Sequence, residues 1–217
     1  MELYLPYLLD YSRLTVEGVT IFCVSVLIAV LISAEGQGFA ATLLGDNQPG
    51  AKDRFHFNAF MHLDPLGTIC FFIAGFGWAR EIYIDQANFK RAGGAKLIMS
   101  RMAGPLANLL MANIAASLAW LLRRYGFVDS VFSTIAMVNV SMAVYSLLII
   151  PPLPGAAFLA ALLPKLGVSE KVRGNLWTFC PYLVVGVFLL IRLSGWTGIA
   201  DLVNPLVSTL STLILNV

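Results

Sequence analysis

The chain has 217 residues, of which 59% are hydrophobic and 12% are charged, and its mean hydropathy is +0.81. This composition excludes an ordinary soluble protein and predicts an integral membrane protein. A formal charge of +2 is too small to indicate a nucleic-acid-binding protein. Cys23, Cys70 and Cys180 lie in apolar segments without a CxxC pair. Buried free thiols are therefore expected, not disulfides or a thiolate zinc site.

The first predicted membrane span covers residues 16–44 and follows a lead-in, residues 1–15, without the basic region of a cleavable signal peptide. Ser33, Glu35 and Gln37 introduce polarity near the end of this span. A carboxylate at membrane depth is costly and normally faces the protein interior or a wet cavity. Two interpretations stay open: Glu35 is held by hydrogen bonds within the bundle, or it binds a proton or ligand.

Residues 45–65 form a polar connection in which a Gly, Asn and Pro cluster predicts a turn and the alternation at 55–60 predicts a short strand. Both histidines, His56 and His62, lie here, six residues apart. Because this is not a helical ligand spacing, ordinary loop or interfacial positions are expected for both.

Residues 66–77 are apolar but only a dozen long, which favours a re-entrant segment over a full crossing. With a re-entrant segment, ten basic residues lie on one side of the membrane and four on the other, as the positive-inside rule requires of cytoplasmic loops. The ten are Lys52, Arg54, Arg80, Lys90, Arg91, Lys96, Arg101, Lys165, Lys171 and Arg173, and the four are Arg13, Arg123, Arg124 and Arg192.

The remaining chain supplies an edge-type strand, predicted from the alternation within residues 78–96, and three clear spans. The spans are about 97–122, 131–150 and 176–193. The last stretch, 197–217, is either a further span or a helix in the interface. The predicted fold is an all-α polytopic membrane protein of five or six membrane segments, one of them re-entrant, with a small β element on the cytoplasmic side.

Several short motifs now stand in a recognisable order. They are Gly45-Asp46, His62-Leu63-Asp64-Pro65-Leu66-Gly67-Thr68, Gly77-Trp78-Ala79-Arg80, Ala103-Gly104-Pro105-Leu106-Ala107-Asn108 and Ser146-Leu147-Leu148-Ile149-Ile150-Pro151-Pro152-Leu153-Pro154-Gly155. This series resembles the site-2 protease family of intramembrane metalloproteases in its short bacterial form. Members of that family carry HExxH, GD, HIDPIGT, GWAKPVPVN, AGPxxN and NLLPIPPLDG in this order.

The resemblance implies a single membrane domain, 1–217, with a site-2-protease-like core over 16–155 and C-terminal helices over 156–217. It also implies a location in the bacterial cytoplasmic membrane. In the family, the two histidines of HExxH and the aspartate of PPLDG ligate zinc, and the glutamate activates a bound water.

The zinc-ligand positions map onto Ala34, Gly38 and Pro154, none of which has a metal-binding side chain. Glu35 corresponds to the water-activating acid and would have no metal-bound water to deprotonate. The sequence therefore predicts a pseudoprotease that binds no metal. It carries no haem, flavin or phosphate-binding signature, so no cofactor is expected.

The favoured function is a structural or assembly subunit that binds transmembrane helices of a larger complex of membrane proteins. Close packing and interhelical hydrogen bonds would supply that binding, unless the asparagines are satisfied within the bundle itself. The candidate contact residues are Glu35, Gln37, Trp78, Arg80, Asn108, Asn113 and Asn139. The alternatives are ion or proton conduction through Glu35, a regulatory clamp that sequesters membrane clients, and residual proteolysis with His56 and His62 as unconventional ligands.

Overall fold

The computed structural model describes residues 14–47, 54–89, 91–194 and 198–215. Its helices are α1 (Val16–Leu43), α2 (Pro65–Ala74), α3 (Gly93–Arg124), α4 (Val131–Tyr145), α5 (Ala157–Leu162), α6 (Glu170–Ser194) and α7 (Gly198–Leu215). Single 3₁₀ turns cover Ala59–His62, Gln86–Asn88 and Pro154–Ala156. Helices α1, α3 and α6 are long and apolar enough to cross a bilayer, and α2, α4 and most of α7 are shorter apolar helices. The predicted all-α membrane fold is confirmed.

The ends of the helices follow local chemistry. Thr15 caps α1, because its side chain accepts a hydrogen bond from the amide of Gly18 at 3.0 Å. Helix α4 ends at Tyr145, five residues before the predicted end of that span. The following run reaches Pro151 and Pro152, and the residue before a proline is disfavoured in the helical conformation. The chain turns back after Tyr145, and the Gly155 amide donates to Ser146 O at 2.8 Å.

Helices α1, α3 and α4 form the centre of the bundle, and small residues bring α1 and α3 together. A Cβ added to Gly36 would lie 2.8 Å from the Cβ of Ala107, and one added to Gly104 would lie 2.8 Å from Ser33 Oγ. Asn108, buried in α3, donates through Nδ2 to the carbonyl of Ala29 in α1 at 3.1 Å. The small residues of α3 thus allow the close helix approach that the sequence predicts.

Residues 66–77 do not cross the membrane. Helix α2 begins at the cap formed by Asp64, whose carboxylate accepts from the Gly67 amide, and ends at Gly75 in the left-handed conformation (φ 74°). Its ten residues span about 15 Å, half the thickness of a bilayer core. The Arg80 amide donates to His62 O at 2.7 Å, so the chain returns to the level at which it entered. This short helix and the return of the chain agree with the predicted re-entrant segment.

The predicted β element is wrong. Within the described residues the only β pairing is an isolated antiparallel bridge between Leu63 and Ala79. Residues 55–60 do not form a strand, since Phe55 and Phe57 both have positive φ angles, of 61° and 50°. The stretch after Trp78 is extended, but it pairs with arginine side chains, described below, in place of a second strand. Its alternating pattern arises because Ile82 is buried and Tyr83 is exposed.

The return from α2 passes so close to the helix that two glycines are required. A Cβ on Gly77 would collide with the carbonyl oxygen of Gly67 and with the ring of Phe71. We therefore expect Gly77→Ala to destabilise the protein by about 1–3 kcal/mol, the usual cost of overpacking a core. The measurement is thermal unfolding of the purified protein in detergent. Gly186→Ala on α6, where an added Cβ meets nothing within 4 Å, is the control, and an equal effect of both changes would contradict this account.

Candidate functional site

Glu35 lies in α1 and is only 7% exposed. Its Oε2 accepts from the Phe55 amide at 2.7 Å and its Oε1 from the Phe57 amide at 2.9 Å. The Nε2 of His62 lies 3.3 Å from Oε1, and this histidine is 2% exposed. His62 ends the 3₁₀ turn Ala59–His62 in the polar connection, where it is buried against Glu35, and His56 is exposed in the same connection. Both oxygens of Glu35 hold the polar connection against α1.

A second buried carboxylate fixes the same connection. Asp46 is fully buried and forms an ion pair with Arg54, with 2.6 Å between Oδ2 and Nη2. The guanidinium also donates to the carbonyl of Tyr83 at 2.7 Å, and Asp46 accepts from Asn88 Nδ2 at 2.7 Å. A Cβ placed on Gly38 would lie 3.1 Å from Arg54 Cγ. The side of α1 that carries Gly38 is thus covered by an arginine.

Pro154 borders a cavity of about 210 Å³ enclosed by α1, α3, the extended stretch after Trp78 and the turn before α5. The α1 residues that line this cavity are Ser33 and Gln37. Ala34 and Gly38 do not line it. Residues four apart share one face of a helix, so the α1 face opposite Pro154 is the one defined by Ser33 and Gln37.

Arg101 from α3 closes this cavity and is 11% exposed in its side chain. Its Nη1 donates to Gln37 Oε1 at 3.0 Å. Its Nη2 donates to Glu81 Oε1 at 2.5 Å and to the carbonyl of Ile82 at 3.1 Å. The guanidinium of Arg101 is therefore bound by one carboxylate, one side-chain amide oxygen and one backbone carbonyl.

The other predicted contact residues fall into two groups. Trp78 and Arg80 line the cavity, Trp78 with its indole N–H bonded to Asp64 at 2.9 Å and Arg80 at the exposed rim. Asn108 and Asn139 are fully buried, and Asn108 Nδ2 donates to Asn139 Oδ1 at 3.1 Å. Asn113 is exposed on the outside of α3. The structure thus brings together the cavity residues and the two inner asparagines, but not Asn113.

Sequence reasoning missed several members of the site. Ser33 carried a usable signal, since it lies four residues before Gln37 and shares its helical face. Asp46 carried one as part of the Gly45-Asp46 motif. Arg54 and Arg101 carried none, because their partners are set by the path of the polar connection and of the stretch after Trp78.

The fold and site define an all-α membrane protein with a small polar cavity between α1, α3 and a proline-rich turn. No protein-family model and no solved structure matches the chain. A curated protein, "Putative zinc metalloprotease YwhC" of Bacillus subtilis (strain 168), is 31% identical over 174 residues, which cover 76% of this chain and 78% of that protein. The chain belongs to the metalloprotease family of this relative, as its resemblance to site-2 proteases implies.

The residues around the cavity do not fit the zinc ion that this family implies. Zinc is bound in proteins by Cys, His, Asp and Glu, whereas Ser33, Gln37 and Pro154 supply a hydroxyl, an amide and no donor. In the described part of the chain no group of three or more such side chains is placed to hold a metal. The guanidinium of Arg101 adds a positive charge at the same point. The other candidate positions on α1, Ala34 and Gly38, also have no side chain that binds zinc.

The cavity-facing positions can be tested by rebuilding a zinc site. We expect the triple variant Ser33→His, Gln37→His, Pro154→Asp to retain zinc through purification, because its three donors face one cavity. The matched control is Ala34→His, Gly38→His, Pro154→Asp. Both are made with Arg101→Gln, which removes the opposing charge, and zinc is measured by elemental mass spectrometry. Zinc in the control alone would show that the other face of α1 is the relevant one.

Glu35 should stabilise the connection that it binds. We expect Glu35→Ala to leave two backbone amides and His62 without an acceptor and to cost about 3 kcal/mol or more, since hydrogen bonds to charged groups contribute about 1.5–3 kcal/mol each. Hydrogen exchange of residues 54–62 should become faster. Glu17→Ala, an exposed change in the first turn of the same helix, should alter stability by about 0.5 kcal/mol or less. Unchanged exchange in Glu35→Ala would contradict the anchoring role.

Proposed function

We propose that this chain is a member of its family without protease activity, which serves as a structural or assembly subunit and binds transmembrane helices of a larger membrane complex. The observation that carries the proposal is the Arg101 network, which lies in the cavity beside Pro154 in place of a metal-binding donor set. We further propose that the protein lies in a bacterial cytoplasmic membrane with its basic loops in the cytoplasm, in line with the distribution of Lys and Arg.

The internal contacts support a scaffold. Asn108 and Asn139 join α3 to α4, and Arg192 from α6 donates to the carbonyl of Ile73 near the end of α2 at 2.8 Å. These contacts need no metal. A fold whose helices are packed by such contacts has what is needed to bind other helices, since helix association in lipid depends on packing and hydrogen bonds.

The geometry of Glu35 favours this role over conduction. A proton pathway needs a carboxylate that exchanges partners, and intramembrane acids that serve one face a water-filled route. Both oxygens of Glu35 instead accept backbone amide hydrogen bonds at 2.7 and 2.9 Å. A regulatory clamp would use the same helix-binding surfaces but would hold its clients transiently.

The test is purification of the tagged, full-length chain from its own host in mild detergent. We expect stoichiometric membrane-protein partners on native gels and by mass spectrometry, and substoichiometric zinc by elemental analysis. The Bacillus subtilis relative, prepared in the same way, is the comparison for zinc. A monodisperse monomer would overturn the scaffold role, and one zinc per chain together with cleavage of membrane substrates would overturn the loss of protease activity.

A further inference from the structure

The cavity beside Pro154 contains buried hydrogen-bond donors that are not fully used. Ser33 is 1% exposed, and its hydroxyl oxygen lies 3.5 Å from the amide nitrogen of Gln37, at the outer limit of a hydrogen bond. The Ser33 hydroxyl donates to no atom of the described residues. Arg101 binds the carbonyl oxygen of the Gln37 side chain at 3.0 Å, so the N–H groups of this amide face away from Arg101. Two buried side chains therefore offer donors to the interior of the cavity.

Two further donors border the same cavity. The guanidinium of Arg80 lies at its exposed rim, and the half-buried indole of Trp177 lines it from α6. Neither side chain has a hydrogen-bond or ion-pair partner among the described residues. The one carboxylate that the described part of the chain contributes to the lining belongs to Glu81 and already binds Arg101. The side chains around the cavity thus present more free donors than free acceptors.

The charge of the lining has the same sign as these donors suggest. Its ionisable side chains are two arginines, Arg80 and Arg101, and one glutamate, Glu81. One positive charge is therefore not balanced within the lining, and charge interactions strengthen where water is excluded. An ionised carboxylate carries one negative charge and only accepts hydrogen bonds, and its bonds with guanidinium groups are among the strong ones. These properties match the lining.

The remaining lining is apolar and limits the size of a ligand. It includes Leu97 of α3, Met142 of α4 and Ala157 of α5. The volume of about 210 Å³ lies below the roughly 300–1,000 Å³ of sites for drug-sized ligands, whereas an apolar cavity of about 150 Å³ already holds a benzene ring. The cavity therefore has room for one ring or a short chain together with a carboxylate.

We propose that this cavity binds a small carboxylate with an apolar body, of the size of an aryl carboxylate or a short fatty acid. The carboxylate lies between Arg80 and the donors of Ser33 and Gln37, and the apolar body faces Leu97 and Met142. This site goes beyond the scaffold function and does not rest on it, because one chain supplies the whole lining. The ligand can be a soluble acid or a fatty acid from lipid, and the choice of probes separates these sources.

The test is isothermal titration calorimetry of the full chain in a non-ionic detergent, with benzoate and octanoate as probes. Benzyl alcohol is the uncharged counterpart of benzoate, and each probe is also titrated into detergent alone. We expect one carboxylate to bind per chain in a saturable manner and benzyl alcohol not to bind. Tighter binding of benzoate would assign the site to soluble acids, and tighter binding of octanoate would assign it to fatty acids.

Three variants place the binding in the cavity. Arg80→Gln should raise the Kd about tenfold or more, because it removes a charge-assisted hydrogen bond, and Ser33→Ala should raise it about two- to tenfold. Ala160→Leu fills the cavity from α5 and should abolish binding although every donor remains. Arg91→Gln removes an exposed charge outside the lining and is the matched control, which should leave the Kd unchanged. Thermal unfolding in detergent checks that each variant is folded.

Three results would overturn the inference. Neither acid binds in a saturable manner, benzyl alcohol binds as well as benzoate, or Arg91→Gln weakens binding as much as Arg80→Gln. Binding that persists in a folded Ala160→Leu variant would also overturn it, since the ligand would then lie outside the cavity. None of these results bears on the scaffold function, which depends on the proteins that co-purify with the chain.

Discussion

The ion pair between Asp46 and Arg54 connects the end of α1 to the polar connection and to the stretch before α3. Both side chains are almost fully buried, and their 2.6 Å contact joins the end of α1 to the connection that leads into α2. Through Arg54 the pair also holds Tyr83, and through Asp46 it holds Asn88. Removing one partner of a buried ion pair leaves an uncompensated charge and costs about 3–5 kcal/mol. The path of the chain from α1 to α3 therefore depends on this pair.

The cavity beside Pro154 contains a network of polar contacts centred on a mostly buried cation. The zinc centre implied by the resemblance to site-2 proteases would combine a divalent cation with two neutral histidines and one carboxylate. Here the cation is Arg101, and its planar guanidinium binds Gln37, Glu81 and a backbone carbonyl along fixed directions. Because an arginine stays charged at any ordinary pH, it holds α1, α3 and the extended stretch together without a metal. The contacts of Arg101 thus connect α3 to α1 and to the stretch after Trp78.

The sequence predicted the long apolar helices α1, α3 and α6 well, because length and hydropathy are set by the bilayer itself. The predicted span 131–150 is the shorter apolar helix α4. The sequence failed where a pattern had two physical origins. The alternation after Trp78 predicted a strand, yet it reflects one buried and one exposed side of a stretch bound by Arg54 and Arg101. The sequence also did not predict which face of α1 lines the cavity. A shift of one residue turns a helical position by about 100°. The polarity of Ser33 and Gln37 distinguishes this pair from Ala34 and Gly38, but the family's motif pointed to the second pair.

The three asparagines of α3 and α4 show the same limit and what it means for function. By residue type they are equal, and each can bond within the bundle or to a partner helix. Asn108 and Asn113 are five positions apart, which places them about 140° apart around α3, so they face different surroundings. The inward amide meets Asn139 and Ala29 and stabilises the bundle. The outward amide of Asn113 makes no hydrogen bond with another helix among the described residues, and its nitrogen donates within α3 to the carbonyl of Leu109 at 2.8 Å.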